Sequence, residues 1–115
     1  MNILVLEDST NRINYFIERF SDHNLVITEN AYEAINYLNE QVFDYIFLDH
    51  DLGPNNGCGA DVAAYLCDNI DNENNDAMVV IHSWNTPAAM SMKNELPNSK
   101  FLPFGSSEFF GINGE

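Results

Sequence analysis

Residues 43–57 read FDYIFLDHDLGPNNG. The apolar run Tyr45 to Leu48 passes without transition into Asp49, His50 and Asp51, and a cluster of Gly, Pro and Asn follows. A run that does not alternate with polar residues suits a strand buried on both faces of a parallel sheet. Two more runs have the same form: Ile3 to Leu6 leads into Glu7-Asp8, and Met78 to Ile81 leads into His82-Ser83-Trp84-Asn85. Leu25 to Thr28 and Phe101 to Phe104 read as flanking strands.

Between these runs the spacing changes to that of helices. Ile13, Phe16, Ile17 and Phe20 recur at i, i+3, i+4, i+7, as do Ala31, Ala34, Ile35 and Leu38, while Val62, Ala63, Leu66, Cys67 and Ile70 mark a third helix. Asn30 with Glu33 three residues later reads as a capping box, and Thr86 before Pro87 as an N-cap with proline at the first helical position. Five β-α units with right-handed crossovers give a three-layer, doubly wound, five-stranded parallel sheet, with strand order 2-1-3-4-5. Asp68 to Asp76, DNIDNENND, reads as a solvated loop without function. Residues 105–115, broken by Gly111 and Gly114, leave the fifth helix truncated or missing and read as an irregular tail.

Length and charge narrow the function. A chain of 115 residues is one domain, 1–115, with a sizeable core. Its formal net charge of −14 repels nucleic acid and anionic lipid, leaving metal ions, metal-bound anions or basic proteins as partners. No run approaches the roughly 20 apolar residues that span a bilayer. Cys58 and Cys67 read as reduced thiols, Cys67 as core, and the start lacks a signal peptide's pattern. The expectation is a cytoplasmic protein.

Ligands of open α/β sheets bind beyond the carboxyl ends of the strands, and here those ends carry the ionisable residues. Glu7, Asp8 and Asp49 brought to one edge repel one another unless a cation neutralises them. Mg²⁺ or Mn²⁺ with oxygen ligands suits such a site. The competing reading for Asp8 is that it caps the helix that follows.

The motifs NILVLED, FDYIFLDHDLGPNNG, VVIHS and FLPF, in this order, resemble the receiver domains of two-component response regulators over residues 1–104. The resemblance implies a receiver, or flavodoxin-like, fold. It also implies that Glu7 and Asp8 are the acidic metal-binding pair, Asp49 the phosphoacceptor aspartate, Gly57 the glycine ending the next loop and Ser83 the hydroxyl that senses a phosphoryl group. Receivers place a lysine before the proline of the fifth strand, and this chain has Leu102 before Pro103. Lys100 lies about 6.6 Å further back. Ordinary aspartyl-phosphate switching is therefore not expected.

LED with Arg12, LDHDLG and IHSWN resemble a smaller branch, the cyclic-phosphate-processing receivers of bacteria and phages, in which histidines match His50 and His82. That implies phosphoester chemistry. Opening a cyclic phosphate needs a base for water and an acid for the leaving oxygen; His50, flanked by Asp49 and Asp51, and His82 are with those two aspartates the candidate catalytic residues. The same histidines also suit metal ligation or a structural role. Arg12 reads as a phosphate clamp or as an ion-pair partner of Glu7 or Asp8. Ser83 and Asn85 read as ligand-orienting groups, and Trp84 as a base-stacking or shielding side chain.

The first functional expectation is a metal-assisted phosphoesterase, or a binder without turnover, for a cyclic nucleotide or nucleotide-derived cyclic phosphate. The second is a degenerate receiver working as a protein-interaction module. A DNA-mimicking acidic decoy ranks last, because the charges group at strand ends and one loop.

Overall fold

The computed structural model describes residues 1–112. In chain order the elements are β1 (Asn2–Leu6), α1 (Thr10–Arg19), β2 (Asn24–Thr28), α2 (Ala31–Glu40), β3 (Tyr45–Leu48), α3 (Gly59–Asp68), a short 3-10 turn (Glu73–Asp76), β4 (Met78–Ile81), α4 (Thr86–Glu95), β5 (Lys100–Phe101) and α5 (Ser107–Phe110). The five strands pair in parallel in the order β2-β1-β3-β4-β5. The doubly wound architecture read from the sequence is the one observed, with the fifth helix reduced to a single turn.

Strand alternation divides the core in two. Leu4, Leu6, Ile46, Leu48, Val79 and Ile81 face the helices α2, α3 and α4. Ile3, Val5, Phe47 and Val80 face Phe16 and Phe20 of α1 and Phe109 of α5. This second face is built largely of phenyl rings; Phe104 and Phe109 lie 4.9 Å apart and Phe16 and Phe47 5.1 Å.

Several local expectations need correction. β5 is shorter than Phe101 to Phe104, because Pro103 has no N–H to donate. The chain nonetheless stays on β4 through Leu102 N–H to Ile81 C=O and Phe104 N–H to His82 C=O, both 3.0 Å. Asn85, not Thr86, caps α4; its side chain accepts from the Ala88 N–H. Asn30 caps α2 by accepting from Tyr32 and Glu33, while its own N–H goes to Thr28 Oγ1 instead of back to Glu33.

Cys67 is exposed, because the buried stripe of α3 closes at Leu66. Ile70 lies beyond the helix and is also exposed. The Asp68–Asp76 segment is anchored by a buried Asn74, whose amide accepts from Phe43 N–H and donates to Leu38 and Gln41 carbonyls. That one side chain satisfies backbone groups left open where α2 ends and β3 approaches.

Candidate functional site

Three acid or imidazole side chains share a face because the sheet's register continues one residue past its strands. Val5 pairs with Phe47 and Phe47 with Val80. The N–H groups of Glu7, Asp49 and His82 then bond to Thr28, Leu6 and Leu48 carbonyls at 3.1, 3.0 and 3.0 Å. Two residues on from Val5, Phe47 and Val80, these side chains point to the same phenyl-lined face. All three are buried, and one ligating atom from each lies within 4.8 Å of the others. Continued across β5, the register sets Leu102 next to His82, and Leu102 packs on the same aromatic cluster.

Glu7 is saturated with donors. Its Oε2 accepts from the N–H groups of Asp8 and Ser9, each at 3.0 Å. Its Oε1 lies 2.9 Å from His82 Nε2 and 3.5 Å from an Arg12 guanidinium nitrogen. Burial alone would raise the carboxyl's pKa, but His82, the Ser9 N–H and Arg12 outweigh it and hold Glu7 ionised, well below the usual range.

His82 Nδ1 has no hydrogen-bond partner among the surrounding rings of Phe16, Phe47, Phe104 and Phe109. Burial pushes the His82 pKa down. The imidazole is therefore neutral, and because the ionised Glu7 carboxylate can only accept, Nε2 carries the proton and Nδ1 is left unprotonated in the apolar pocket.

Asp49 carries the opposite shift. Burial, and then the charge of Glu7, raise its pKa to about 7, although Oδ1 accepts the His50 N–H at 2.9 Å. Asp8 is raised as well, first by burial and then by Glu7. Carboxylates are thus concentrated here beyond what the local donors neutralise. With Glu7 already occupied, the carboxylates that remain for a hard cation are those of Asp8 and Asp49, which line the same cleft.

These groups open into a cleft of about 610 Å³ at the carboxyl edge, lined by Glu7, Asp8, Arg12, Asp49, Asp51, Ser83, Trp84 and Asn85 together with Ser9, Asn11 and Phe104. Its one basic side chain, Arg12, is clamped: the guanidinium carbon sits 4.1 Å from the Trp84 ring centroid and 5.1 Å from that of Phe104. Trp84 is itself tied by its indole N–H to Phe104 C=O at 2.7 Å. Ser83 Oγ accepts the Asn85 N–H at 3.0 Å, fixing the turn that carries Trp84.

Of the residues singled out from sequence, the cleft gathers all but the two histidines. His82 lies behind Glu7 in the core. His50 does not line the cleft; its Nδ1 is 2.8 Å from Oδ1 of Asp51, which does, and Asn85 Nδ2 reaches the other Asp51 oxygen at 3.5 Å. Lys100 is exposed and lines a different groove, with Lys93 and Glu108. Ser9, Asn11 and Phe104 were not anticipated. The first two lie within the α1 turn that separates Asp8 from Arg12, and Phe104 reaches the cleft because the chain clings to β4 past Pro103.

The segment after Asp49 is shaped by two glycines. Gly57 adopts φ +69°, the left-handed region that favours glycine. At Gly59 a Cβ would come within 1.9 Å of the Asp49 carbonyl oxygen, so α3 begins in direct contact with the site's backbone. Cys58 caps this helix, its N–H bonded to Asp61 Oδ2 at 2.9 Å, a structural role.

Residues 2–98 match the family of cyclic-phosphate processing receiver domains. The chain belongs to that family. No curated protein gives a match. Among solved structures, this receiver is similar to a Burkholderia pseudomallei response regulator with a phosphorylated aspartic acid, calcium ion and citrate (TM-score 0.76, 19% identity, covering 97% of this chain and 65% of that one). It is similar too to Thermotoga maritima response regulator TrrA in complex with Mg²⁺ and a beryllium fluoride (0.72, 18%, 96% and 94%). A CheY-like receiver domain from Methanospirillum hungatei matches at 0.72 and 11% identity, covering 95% and 86%.

The receiver fold is therefore shared while the lysine is not. In this cyclic-phosphate processing receiver the place of that lysine is apolar, and the side-chain donors nearest Glu7 are the Arg12 guanidinium of α1 and the neutral His82 after β4. Among the described residues no helix is long and apolar enough to cross a membrane.

Proposed function

We propose that the cleft binds a small cyclic phosphate of the nucleotide type together with Mg²⁺ or Mn²⁺, and either opens the phosphate ring or sequesters it. The observation that carries this reading is the pairing, within one cleft, of under-neutralised carboxylates with a single clamped guanidinium. Asp8 and Asp49 would hold the cation, which when bound supplies positive charge to a phosphoryl oxygen. Arg12 presents the edges of its guanidinium that Glu7 leaves free to the phosphate. Ser83 and Asn85 orient a phosphate oxygen or water.

Ring opening breaks one P–O bond and forms another to water, so a proton must leave water and one must reach the departing alkoxide. His50, oriented through Nδ1 by Asp51, keeps Nε2 for that exchange. His82 serves the site through Glu7. A second reading, a receiver kept as a protein-interaction module, draws support from Leu102 in place of the lysine.

The test is calorimetric titration of Mg²⁺ or Mn²⁺, then of cyclic mono- and dinucleotides, onto the wild type, Arg12→Ala and His50→Ala, with chromatography of the recovered ligand. Turnover lost in His50→Ala supports the esterase. Binding of intact ligand that Arg12→Ala abolishes makes the protein a sequestering one. No binding of metal or nucleotide overturns both and leaves the interaction module.

A further inference from the structure

The protein has one tryptophan, and the fold spends it on the surface. Trp84 is 67% exposed, so its indole adds little to the core. An exposed side chain ordinarily keeps its rotamer freedom. This one does not. Its N–H is bonded to Phe104 C=O at 2.7 Å, the Arg12 guanidinium packs 4.1 Å from its ring centroid, and the Ser83–Asn85 hydrogen bond fixes the backbone on either side of it. The result is a flat aromatic surface held rigid at the lip of the phosphate cleft, one face given to a cation and the remaining indole surface open to solvent. The ordering of that surface has been completed before any ligand arrives, and preorganisation of this kind lowers the entropic cost of binding.

We infer that Trp84 is a base-stacking platform, and that it makes the cleft selective for cyclic phosphates carrying a nucleobase over sugar cyclic phosphates that lack one. The inference rests on the phosphate-binding reading above. Arg12 ties the two together: its edges face the phosphate while its plane supports the indole, so phosphate and base are read from adjoining surfaces. The guanidinium also draws on the ring's electron density, and a ring polarised in this way stacks well on an electron-rich purine. An aromatic whose task was only to cover Arg12 would give no preference between ligands with and without a base.

Because Trp84 is the sole tryptophan, its fluorescence reports on this one position. The experiment titrates adenosine cyclic phosphate, in both ring isomers, and the matching methyl riboside cyclic phosphates into the Mg²⁺-loaded protein, following tryptophan emission and calorimetric affinity. At least one adenosine compound is expected to quench the emission and to bind about tenfold or more tightly than its base-free counterpart, in keeping with roughly 1–3 kcal/mol per stacked base. Trp84→Ala is expected to abolish that margin and Trp84→Phe to keep most of it. Equal affinity for base-free and base-carrying ligands, or a margin that survives Trp84→Ala, overturns the platform while leaving the phosphate site standing. Binding of neither kind overturns both.

Discussion

His82 Nε2 lies 2.9 Å from Glu7 Oε1, and neither side chain reaches solvent. A hydrogen bond between a neutral imidazole and a buried carboxylate is worth most through what its loss leaves behind. His82→Ala removes one donor from an ionised group with no access to water and opens a cavity among four phenyl rings. The expected destabilisation is about 3 kcal/mol. It is measured as a lowered midpoint of urea unfolding at unchanged slope.

In the metal-free protein Asp49 should contribute less and less stability as pH rises from about 4 to about 7. Asp49 titrates at about 7 in the folded chain, against an ordinary value of 3.8. A raised folded pKa means the native state holds the proton more tightly. Its contribution is complete below the unfolded value and disappears as pH climbs through the folded one. Glu7 and His82 work in the opposite sense: Glu7, lowered when folded, adds stability above its ordinary 4.5, and the cost of burying His82, also lowered when folded, falls away as pH rises towards its ordinary 6.5. Thermal melts in EDTA isolate the Asp49 part by difference: the wild type should lose stability relative to Asp49→Asn as pH rises across this range, and a constant difference would refute it.

Cation binding should displace the same proton. Below pH 7 each Mg²⁺ bound is expected to release up to about one proton from Asp49, and affinity should rise with pH until that group is ionised. Calorimetry at pH 6 in buffers of differing ionisation enthalpy measures the release directly. Asp8→Ala and Asp49→Asn are each expected to weaken binding by tenfold or more.

Gly59→Ala should disturb the site without altering any polar group in it. The added methyl would come within 1.9 Å of the Asp49 carbonyl oxygen and 2.9 Å of Met92 Cε. Methionine can yield, but the strand-end backbone cannot without moving Asp49. A loss of about 3 kcal/mol, with weakened Mg²⁺ binding in the fraction that stays folded, is the expected outcome. Chemical unfolding and metal titration of this variant check both parts.

The strands and their order were legible because Ile3–Leu6, Tyr45–Leu48 and Met78–Ile81 are apolar without alternation, a pattern few other environments demand. The same runs located Glu7, Asp49 and His82, since each follows its strand directly. What spacing could not convey was depth. His82 shares a face with Glu7 and Asp49 but is walled off from the cleft, in part by phenyl rings that α1 and α5 bring from distant parts of the chain. Asn74 was hidden for a related reason: in a stretch of Asp and Asn, nothing local separates a solvated amide from one that satisfies backbone groups of α2 and β3. The Arg12–Trp84–Phe104 stack joins three segments that meet only in the folded protein.

Arg12 is the one basic group in a cleft whose chain carries a net charge of −14. A phosphate ligand must approach through a repulsive field before it meets that attraction at short range. Dissolved salt weakens the distant repulsion more than the contact itself, because the guanidinium lies within a partly closed, aromatic-walled site. Association should therefore quicken as ionic strength rises, the reverse of the behaviour of proteins that draw in phosphates with a basic surface, and stopped-flow mixing at two salt concentrations would display it.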